Sequence, residues 1–147
     1  MPRTRRLAVA VAAVPLVVAL SGCSVVSAFT PHVEPAIYDT AKEFNAANTK
    51  SIGSPSFIPD DATVIRVDYD TKSGEAIMTY TSPSVLKKDV CTLTKVAPPK
   101  PTIQDSWWPI SGIPANASYS CPGGWSAFTV APTQLYAIRP ATASTGK

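Results

Sequence analysis

The chain has few side chains that could act as nucleophiles, bases or metal ligands. It contains three cysteines, at positions 23, 91 and 121, and a single histidine, His32. Because the one histidine lies near the N-terminus, we expect neither a Ser-His-Asp triad nor a Cys-His pair. Most zinc sites need more histidine and cysteine ligands than the chain offers. Catalysis would have to use carboxylates, as in glycoside hydrolysis, but no spacing singles out a pair. We therefore assign no catalytic residue, no metal ligand and no cofactor from the sequence.

Two short motifs have a weak chemical interpretation and a stronger structural one. Ser84-Val85-Leu86-Lys87 matches the Ser-x-x-Lys spacing of penicillin-interacting serine enzymes, but neither Ser-Asp-Asn nor Lys-Thr-Gly occurs in the chain. We expect Ser84 instead to be the N-cap of one or two helical turns over residues 84–91. Residues 68–75 are similar to a calcium loop, but Lys72 stands where an oxygen ligand belongs. This segment is predicted to be a solvated hairpin tip.

The N-terminus is typical of a secretory signal. Basic residues at Arg3, Arg5 and Arg6 precede an uncharged and mostly apolar stretch from Leu7 to Leu20. The stretch is shorter than the roughly 20 apolar residues that a membrane-spanning helix needs. These features predict export, either by the general secretory route or by the twin-arginine route.

The last four residues of this region, Leu20-Ser21-Gly22-Cys23, resemble the lipobox of bacterial lipoproteins. The resemblance implies that the Cys23 thiol receives a diacylglycerol and that the signal is removed just before it. Residues 1–22 are then a signal peptide, and residues 23–32 are the lipidated cysteine and its tether. The alternative is an ordinary signal peptide with an incidental cysteine. With lipidation, the protein would lie on the extracytoplasmic face of the cell membrane, held there by its lipid.

The charge balance changes when the signal is set aside. The whole chain has 13 lysines and arginines against 10 acidic residues, and three of the basic residues belong to the signal. The mature part would therefore have a net charge of zero. Without a basic domain, the sequence indicates no nucleic-acid partner.

Two cysteines remain if Cys23 is lipidated. In an oxidising compartment Cys91 and Cys121 predict one disulfide, whereas the alternative is two free buried thiols. A bridge that closes the loop from Cys91 to Cys121 would stabilise the fold by about 3–4 kcal/mol on the chain-entropy model.

Residues 33–140 are long enough for one modest domain, and residues 141–147 are predicted to be a disordered tail. Apolar residues at helical spacing predict a helix near 35–47 (Val33, Ile37, Ala41, Phe44). The predicted fold is α+β: an antiparallel sheet of four or five strands built from two hairpins, with one or two short helices and one disulfide. The oligomeric state is left open.

The first predicted hairpin joins residues 63–70 to residues 75–82. The preferred register pairs Tyr69 with Ala76 and Val67 with Met78, so that the apolar residues share one face. A bulged turn that shifts the register by one residue is the alternative. Polar residues share the opposite face (Arg66, Asp68, Asp70). The second predicted hairpin joins 126–131 to 135–139 across three loop residues.

Residues 97–124 contain six prolines, which preclude a central strand or a long helix. Aromatic residues in and beside this segment form the candidate binding surface: Trp107, Trp108, Tyr119 and Trp125. Two interpretations stay open. These side chains either stack on sugars or anchor a protein partner, or they cover the open face of a thin sheet and complete the core. The second is favoured because a small domain needs large side chains in its core.

A second resemblance runs from Phe57-Ile58-Pro59-Asp60-Asp61-Ala62-Thr63 through Cys91 to Cys121-Pro122-Gly123-Gly124-Trp125. These residues are similar to those of small uncharacterised lipoproteins from high-GC Gram-positive bacteria, and they imply no catalytic residues. We expect a non-enzymatic interaction or accessory module of the cell envelope, with an envelope protein or a glycan as partner. The alternative is a small cell-wall polymer hydrolase that uses carboxylates. Converging carboxylates in a pocket would favour the hydrolase, and a grooved aromatic surface would favour the module.

Overall fold

The computed structural model describes residues 32–142, which form a seven-stranded antiparallel sheet and one short helix. The elements in chain order are β1 (Val33–Thr40), α1 (Ala41–Ala47), β2 (Thr63–Asp70), β3 (Ala76–Thr81), β4 (Thr92–Thr94), β5 (Ser118–Cys121), β6 (Trp125–Ala131) and β7 (Gln134–Arg139). The strands are arranged in the order β1-β2-β3-β7-β6-β5-β4. The predicted signal peptide and the lipidation of Cys23 lie outside the described residues.

The antiparallel sheet with a short helix is confirmed, but the predicted four or five strands are too few. Three strands were missed, namely β1, β4 and β5. Strands β4 and β5 have three and four residues and lie at one edge of the sheet, where short strands without a clear alternation are common. Pairing with neighbouring strands, rather than local pattern, produces them.

The predicted helix at 35–47 is wrong in its first half, because residues up to Thr40 form the edge strand β1. Pro35 is tolerated there, since an edge strand does not need every backbone N–H for pairing. The helix begins at Ala41, and the side chain of its N-cap residue Thr40 accepts a hydrogen bond of 3.2 Å from the Glu43 amide. Phe44 then packs edge-on against Tyr38 of β1, with ring centroids 5.3 Å apart.

The two faces of the sheet have different covers. We call the face that carries Val67, Met78 and Leu135 the helix face, because α1 and the segment after it pack there. Phe44 and Phe57 are buried on this face in the larger hydrophobic cluster. Burial of each large apolar side chain contributes about 1.5–3 kcal/mol, so this cluster is the main core.

We call the opposite face, which carries Asp68, Ile77 and Ile138, the proline face. Residues 97–117, which we call the proline-rich segment, fold back over it and place Ile103 against Ile77 and Ile138. The predicted strand-free range 97–124 is too long, because residues 118–121 pair with β4 and β6 and form β5. Trp107 and Trp108 pack on the same cluster. The sheet is therefore enclosed between two irregular covers, each formed by a different part of the chain.

The preferred register of the first hairpin is confirmed over most of its length, with Tyr69 opposite Ala76 and Val67 opposite Met78. An irregularity follows at Val64, whose φ of 51° lies in the left-handed region that β-branched residues rarely adopt. The second hairpin differs from the prediction. Gln134 pairs with Ala131, so its loop has two residues rather than three.

Residues 84–91 form turns instead of the predicted helix. Ser84 does not cap a helix, because its hydroxyl donates to Oδ2 of Asp61 at 2.6 Å. The hydroxyl of Ser82 donates to the other carboxylate oxygen of Asp61. These hydrogen bonds lower the pKa of Asp61, with the larger contribution from Ser82. The cluster joins two turns and gives both serine hydroxyls a structural hydrogen bond.

Both ends of the described chain meet at the turn between β2 and β3. The Thr71 amide donates to the His32 carbonyl at 2.9 Å, and the Thr142 amide donates to the Ser73 carbonyl at 3.1 Å. Of the predicted tail, residues 141 and 142 are therefore held at this turn, and residues 143–147 lie outside the described range. Within 32–142, no helix is long and apolar enough to cross a membrane.

Candidate functional site

A disulfide closes the part of the chain that contains the proline-rich segment. Cys91 and Cys121 are bonded, with sulfurs 2.08 Å apart and Cα atoms 4.4 Å apart, which confirms the predicted pair. Cys91 lies just before β4 and Cys121 ends β5. The bridge therefore restrains both ends of the proline-rich segment at one edge of the sheet.

Glu75 holds the start of the proline-rich segment on the sheet. Its buried carboxylate accepts hydrogen bonds from the Thr102 amide at 2.6 Å, from the Thr102 hydroxyl and from the Ile103 amide at 3.3 Å. A buried carboxylate needs such donors to offset its lost hydration. The contact brings Ile103 down onto the proline face.

Trp108 covers the aromatic part of the proline face. Its ring meets Phe128 and Tyr136 edge-on, with centroid distances of 5.7 and 5.8 Å. Phe128 and Tyr136 are stacked on each other across β6 and β7, and Trp107 lies edge-on to Trp108 at 6.1 Å. Of the two interpretations of the aromatic residues, Trp107 and Trp108 follow the one in which they cover the sheet. Both remain partly exposed.

The four candidate aromatic residues do not form one surface. Trp107 and Trp108 lie on the proline face, whereas Tyr119 packs against the cluster of the helix face. Trp125 is also on the helix face and is only 3% exposed, which corrects its assignment to a binding surface. It packs against Phe57 at 5.8 Å and beneath the Arg139 guanidinium at 5.2 Å.

An apolar groove runs along the proline-rich segment. Two adjoining cavities of about 340 and 290 Å³ share four lining residues, Lys100, Pro101, Trp108 and Ile113. Ile110 stands at the rim of the first and is 100% exposed, and Phe128 lines the second. Sequence reasoning missed Ile110 and Ile113, although apolar residues inside a proline-rich loop were a usable signal. We call Trp107, Trp108, Ile110 and Ile113 the apolar tip.

Two carboxyl groups meet under the proline-rich segment. The hairpin pattern placed Asp68 on the polar face, but the segment covers it and leaves it 3% exposed. Its Oδ2 has no hydrogen-bond donor among the described residues. Burial, with a smaller contribution from the neighbouring Asp105, raises the pKa of Asp68 to about 7. A protonated Asp68 can donate a hydrogen bond to the carboxylate of Asp105.

This pair predicts an unusual dependence of stability on pH. Asp68 has a folded-state pKa of about 7, above its unfolded value of about 3.9, so the folded state keeps a proton that the unfolded state has lost. Its contribution to stability is full below about pH 4 and is lost as the pH rises to about 7. In this pH range the free energy of unfolding of the wild type, measured with guanidinium, should fall by up to about 1.4 kcal/mol per pH unit. Asp68→Asn should remove this dependence. The variant should be more stable than the wild type at pH 8.

The control for this prediction is Asp61→Asn, at an exposed carboxylate whose pKa is lowered. Stability that depends on ionised Asp61 is lost as the pH falls through its lowered folded-state pKa, which is the opposite direction. An Asp68→Asn variant whose stability follows the wild type at every pH from 4 to 8 would contradict a buried, protonated Asp68.

The described residues 32–142 contain no group of three or more His, Cys, Asp or Glu side chains that could hold a metal ion. No protein-family model, no curated protein and no solved structure matches this chain.

Proposed function

We propose that this chain is a lipid-anchored protein of the cell surface and a non-enzymatic interaction module of the cell envelope. The observation that carries the interaction role is the apolar groove with the fully exposed Ile110 at its rim. Apolar and aromatic side chains that stay exposed on a restrained loop are typical of a recognition surface. The disulfide reduces the conformational entropy that the loop would lose on binding.

The proposal of an anchor rests on the basic start, the apolar stretch and the motif Leu20-Ser21-Gly22-Cys23. The Cys91–Cys121 bridge supports export, because disulfides persist in oxidising compartments. Its formation also leaves Cys23 as the one cysteine of the chain outside the bridge, and hence free to be lipidated.

Cys23→Ala is expected to release the protein from the membrane fraction. Acyl chains on Cys23 would contribute about 0.8 kcal/mol for each buried methylene, so two or three chains hold a small domain firmly. Membrane fractionation and mass spectrometry of the N-terminal peptide measure the effect. The wild-type peptide should begin at a diacylated Cys23, and the variant should lack both the lipid and the normal cleavage.

The matched control is Ser24→Ala, which changes a neighbouring small residue without removing the thiol. It should remain lipidated and membrane-bound. An unmodified Cys23 at the mature N-terminus of the wild type would refute the anchor and leave an ordinary secreted protein.

A cell-wall hydrolase is the second candidate, and the Asp68 and Asp105 pair is the observation in its favour. Asp105 lines the groove, but Asp68 is buried and lines neither of its cavities. A polymer substrate would therefore meet one carboxyl group rather than two. Asp105→Asn separates the candidates, because it should abolish release of soluble fragments from purified cell wall only if the protein is a hydrolase.

The interaction role is tested by a photoreactive amino acid placed at position 110 in cells. The control places it at Leu93, an exposed aliphatic residue on β4. Crosslinks to envelope components should form from position 110 and be absent from position 93. Equal yields at the two positions would contradict a specific surface at the groove.

A further inference from the structure

The exposed side chains at the end of the proline-rich segment have the chemistry of a membrane-interface anchor. Ile110 makes no contact that removes it from solvent, and Ile113 is 40% exposed. Trp108 lines the same cavity as Ile110 and Ile113, Trp107 packs against Trp108, and both tryptophans are partly exposed. Tryptophan is enriched at membrane–water interfaces because its ring is apolar while its N–H stays hydrated, and isoleucine is favoured in the acyl region.

The N-terminal tether joins the domain on the same face as these side chains. Val33, the first residue of β1, packs against the cluster of Ile77, Ile103 and Ile138 that Trp107 and Trp108 also cover. Val33 follows Cys23 by ten residues, and ten extended residues span at most about 36 Å. An anchor at Cys23 would therefore keep the apolar tip within reach of the bilayer.

The charges around the tip suit an anionic lipid surface. Between residues 90 and 116 the charged residues are Lys95, Lys100 and Asp105. Both lysines are exposed, and the one carboxylate of this range, Asp105, is partly buried and lines the groove. Two lysines against one aspartate leave residues 90–116 with a net positive charge, which attracts the headgroups of anionic lipids.

We propose that the apolar tip, Trp107, Trp108, Ile110 and Ile113, inserts into the interface of the membrane to which Cys23 is anchored. This inference deepens the proposed function by naming a lipid surface as the partner of the groove region, and it rests on the anchor at Cys23. Two points of attachment, the lipid and the tip, would hold the domain in one orientation on the membrane. Its helix face would then point away from the bilayer.

The test attaches the unlipidated mature chain chemically, so that its result does not depend on processing in the cell. Cys91 and Cys121 are bonded to each other, so Cys23 is the free thiol and couples to a maleimide lipid. The vesicles contain phosphatidylcholine with a minority of phosphatidylglycerol, and part of the phosphatidylcholine carries brominated acyl chains. Bromine quenches tryptophan fluorescence only at short range, so quenching reports insertion of Trp107 and Trp108. Trp125 is buried in the domain and serves as the unquenched background.

The wild type should be quenched, and Ile110→Glu should shift the insertion equilibrium at least about tenfold toward the free state, because it removes an apolar side chain and adds a charge. Leu93→Glu is the matched control, since Leu93 is also aliphatic and exposed but pairs with Tyr119 on the helix face, away from the tip. It should be quenched like the wild type. Equal quenching of Ile110→Glu and the wild type, or none in the wild type, would overturn the proposal. The second outcome, together with position-110 crosslinks to a protein in cells, would identify the groove as a protein-binding site.

Failure of the anchor itself is detected separately. Mass spectrometry of Cys23 from cells reports whether the natural lipid is present, while the vesicle experiment supplies a lipid in every case. An unlipidated Cys23 with a quenched tip would refute the anchor and leave an intrinsic affinity for lipid. A lipidated Cys23 with an unquenched tip would preserve the anchor and refute insertion.

Discussion

Trp125→Ala is expected to destabilise the protein by about 3–5 kcal/mol, the range measured for buried tryptophan and phenylalanine truncations. The side chain is almost fully buried between Phe57 and Arg139, so its removal leaves a cavity and also ends the cation–π contact. A small domain has about 5–15 kcal/mol of total stability. Differential scanning calorimetry should show a melting temperature lowered by more than about 10 °C, or no cooperative transition.

Two controls show whether this effect belongs to the core. Leu93→Ala changes an exposed residue and should cost less than about 0.5 kcal/mol. Trp107→Ala removes the same side chain from a half-exposed position and should cost clearly less than Trp125→Ala. If the two tryptophan variants melt together, the assignment of Trp125 to the core and of Trp107 to the surface is contradicted.

Breaking the Cys91–Cys121 bridge is expected to cost about 3–4 kcal/mol, because the unfolded chain regains the entropy of a loop closed across a separation of 30 residues. The double variant Cys91→Ala with Cys121→Ala removes the bridge without leaving a free thiol. Guanidinium unfolding should show a lower midpoint for the variant than for the oxidised wild type. The proline-rich segment should also become more accessible to proteases, since both its ends are restrained by the bridge.

Reduction provides an independent measurement of the same effect. A reductant should lower the unfolding midpoint of the wild type to that of the double variant and leave the variant unchanged. Before reduction, thiol labelling of the unfolded mature domain should reach neither Cys91 nor Cys121. Labelling at both positions, or a wild type that is insensitive to reductant, would refute a stabilising bridge.

Trp125 and the apolar tip lie on opposite faces of the sheet. Trp125 stabilises the helix face, where α1 and Phe57 complete the main core. The bridge and Glu75 fix the proline-rich segment on the opposite face. Because Glu75 and Trp108 hold the base of this segment, Ile110 can stay exposed without loss of the fold. The substitutions at Ile110 are therefore expected to change binding and leave stability nearly unaffected.

Local patterns predicted the elements that need only neighbouring residues. Alternation in the first hairpin predicted Val67 opposite Met78 and Tyr69 opposite Ala76, because a short turn leaves few registers that place all the apolar side chains on one face. The cysteine pairing also came from the sequence, because assigning Cys23 to the lipid leaves one possible bridge. Both predictions use information that the linear chain contains: the number of cysteines and the two-residue period of a strand.

Other features depended on contacts that the linear chain does not show. The apolar spacing from Val33 to Phe44 suited a helix, but pairing with β2 made its first part a strand. Alternation assigned Asp68 to the polar face, yet it does not say whether a distant segment covers that face. Alternation along β6 would have separated Trp125 from Phe128, but which face each one joins depends on the whole sheet.

The sequence by itself determined the register of the first hairpin over most of its length and the cysteine pairing. Export and lipidation of Cys23 stay predictions from the sequence. Only the tertiary structure decided that Asp68 and Trp125 are buried and that Ile110 stays exposed. The physical reason is that burial is a non-local property. A side chain loses water when another part of the chain packs over it. Asp68 is covered by the segment that Glu75 binds through Thr102 and Ile103. Trp125 is covered by Phe57 and Arg139 on the helix face.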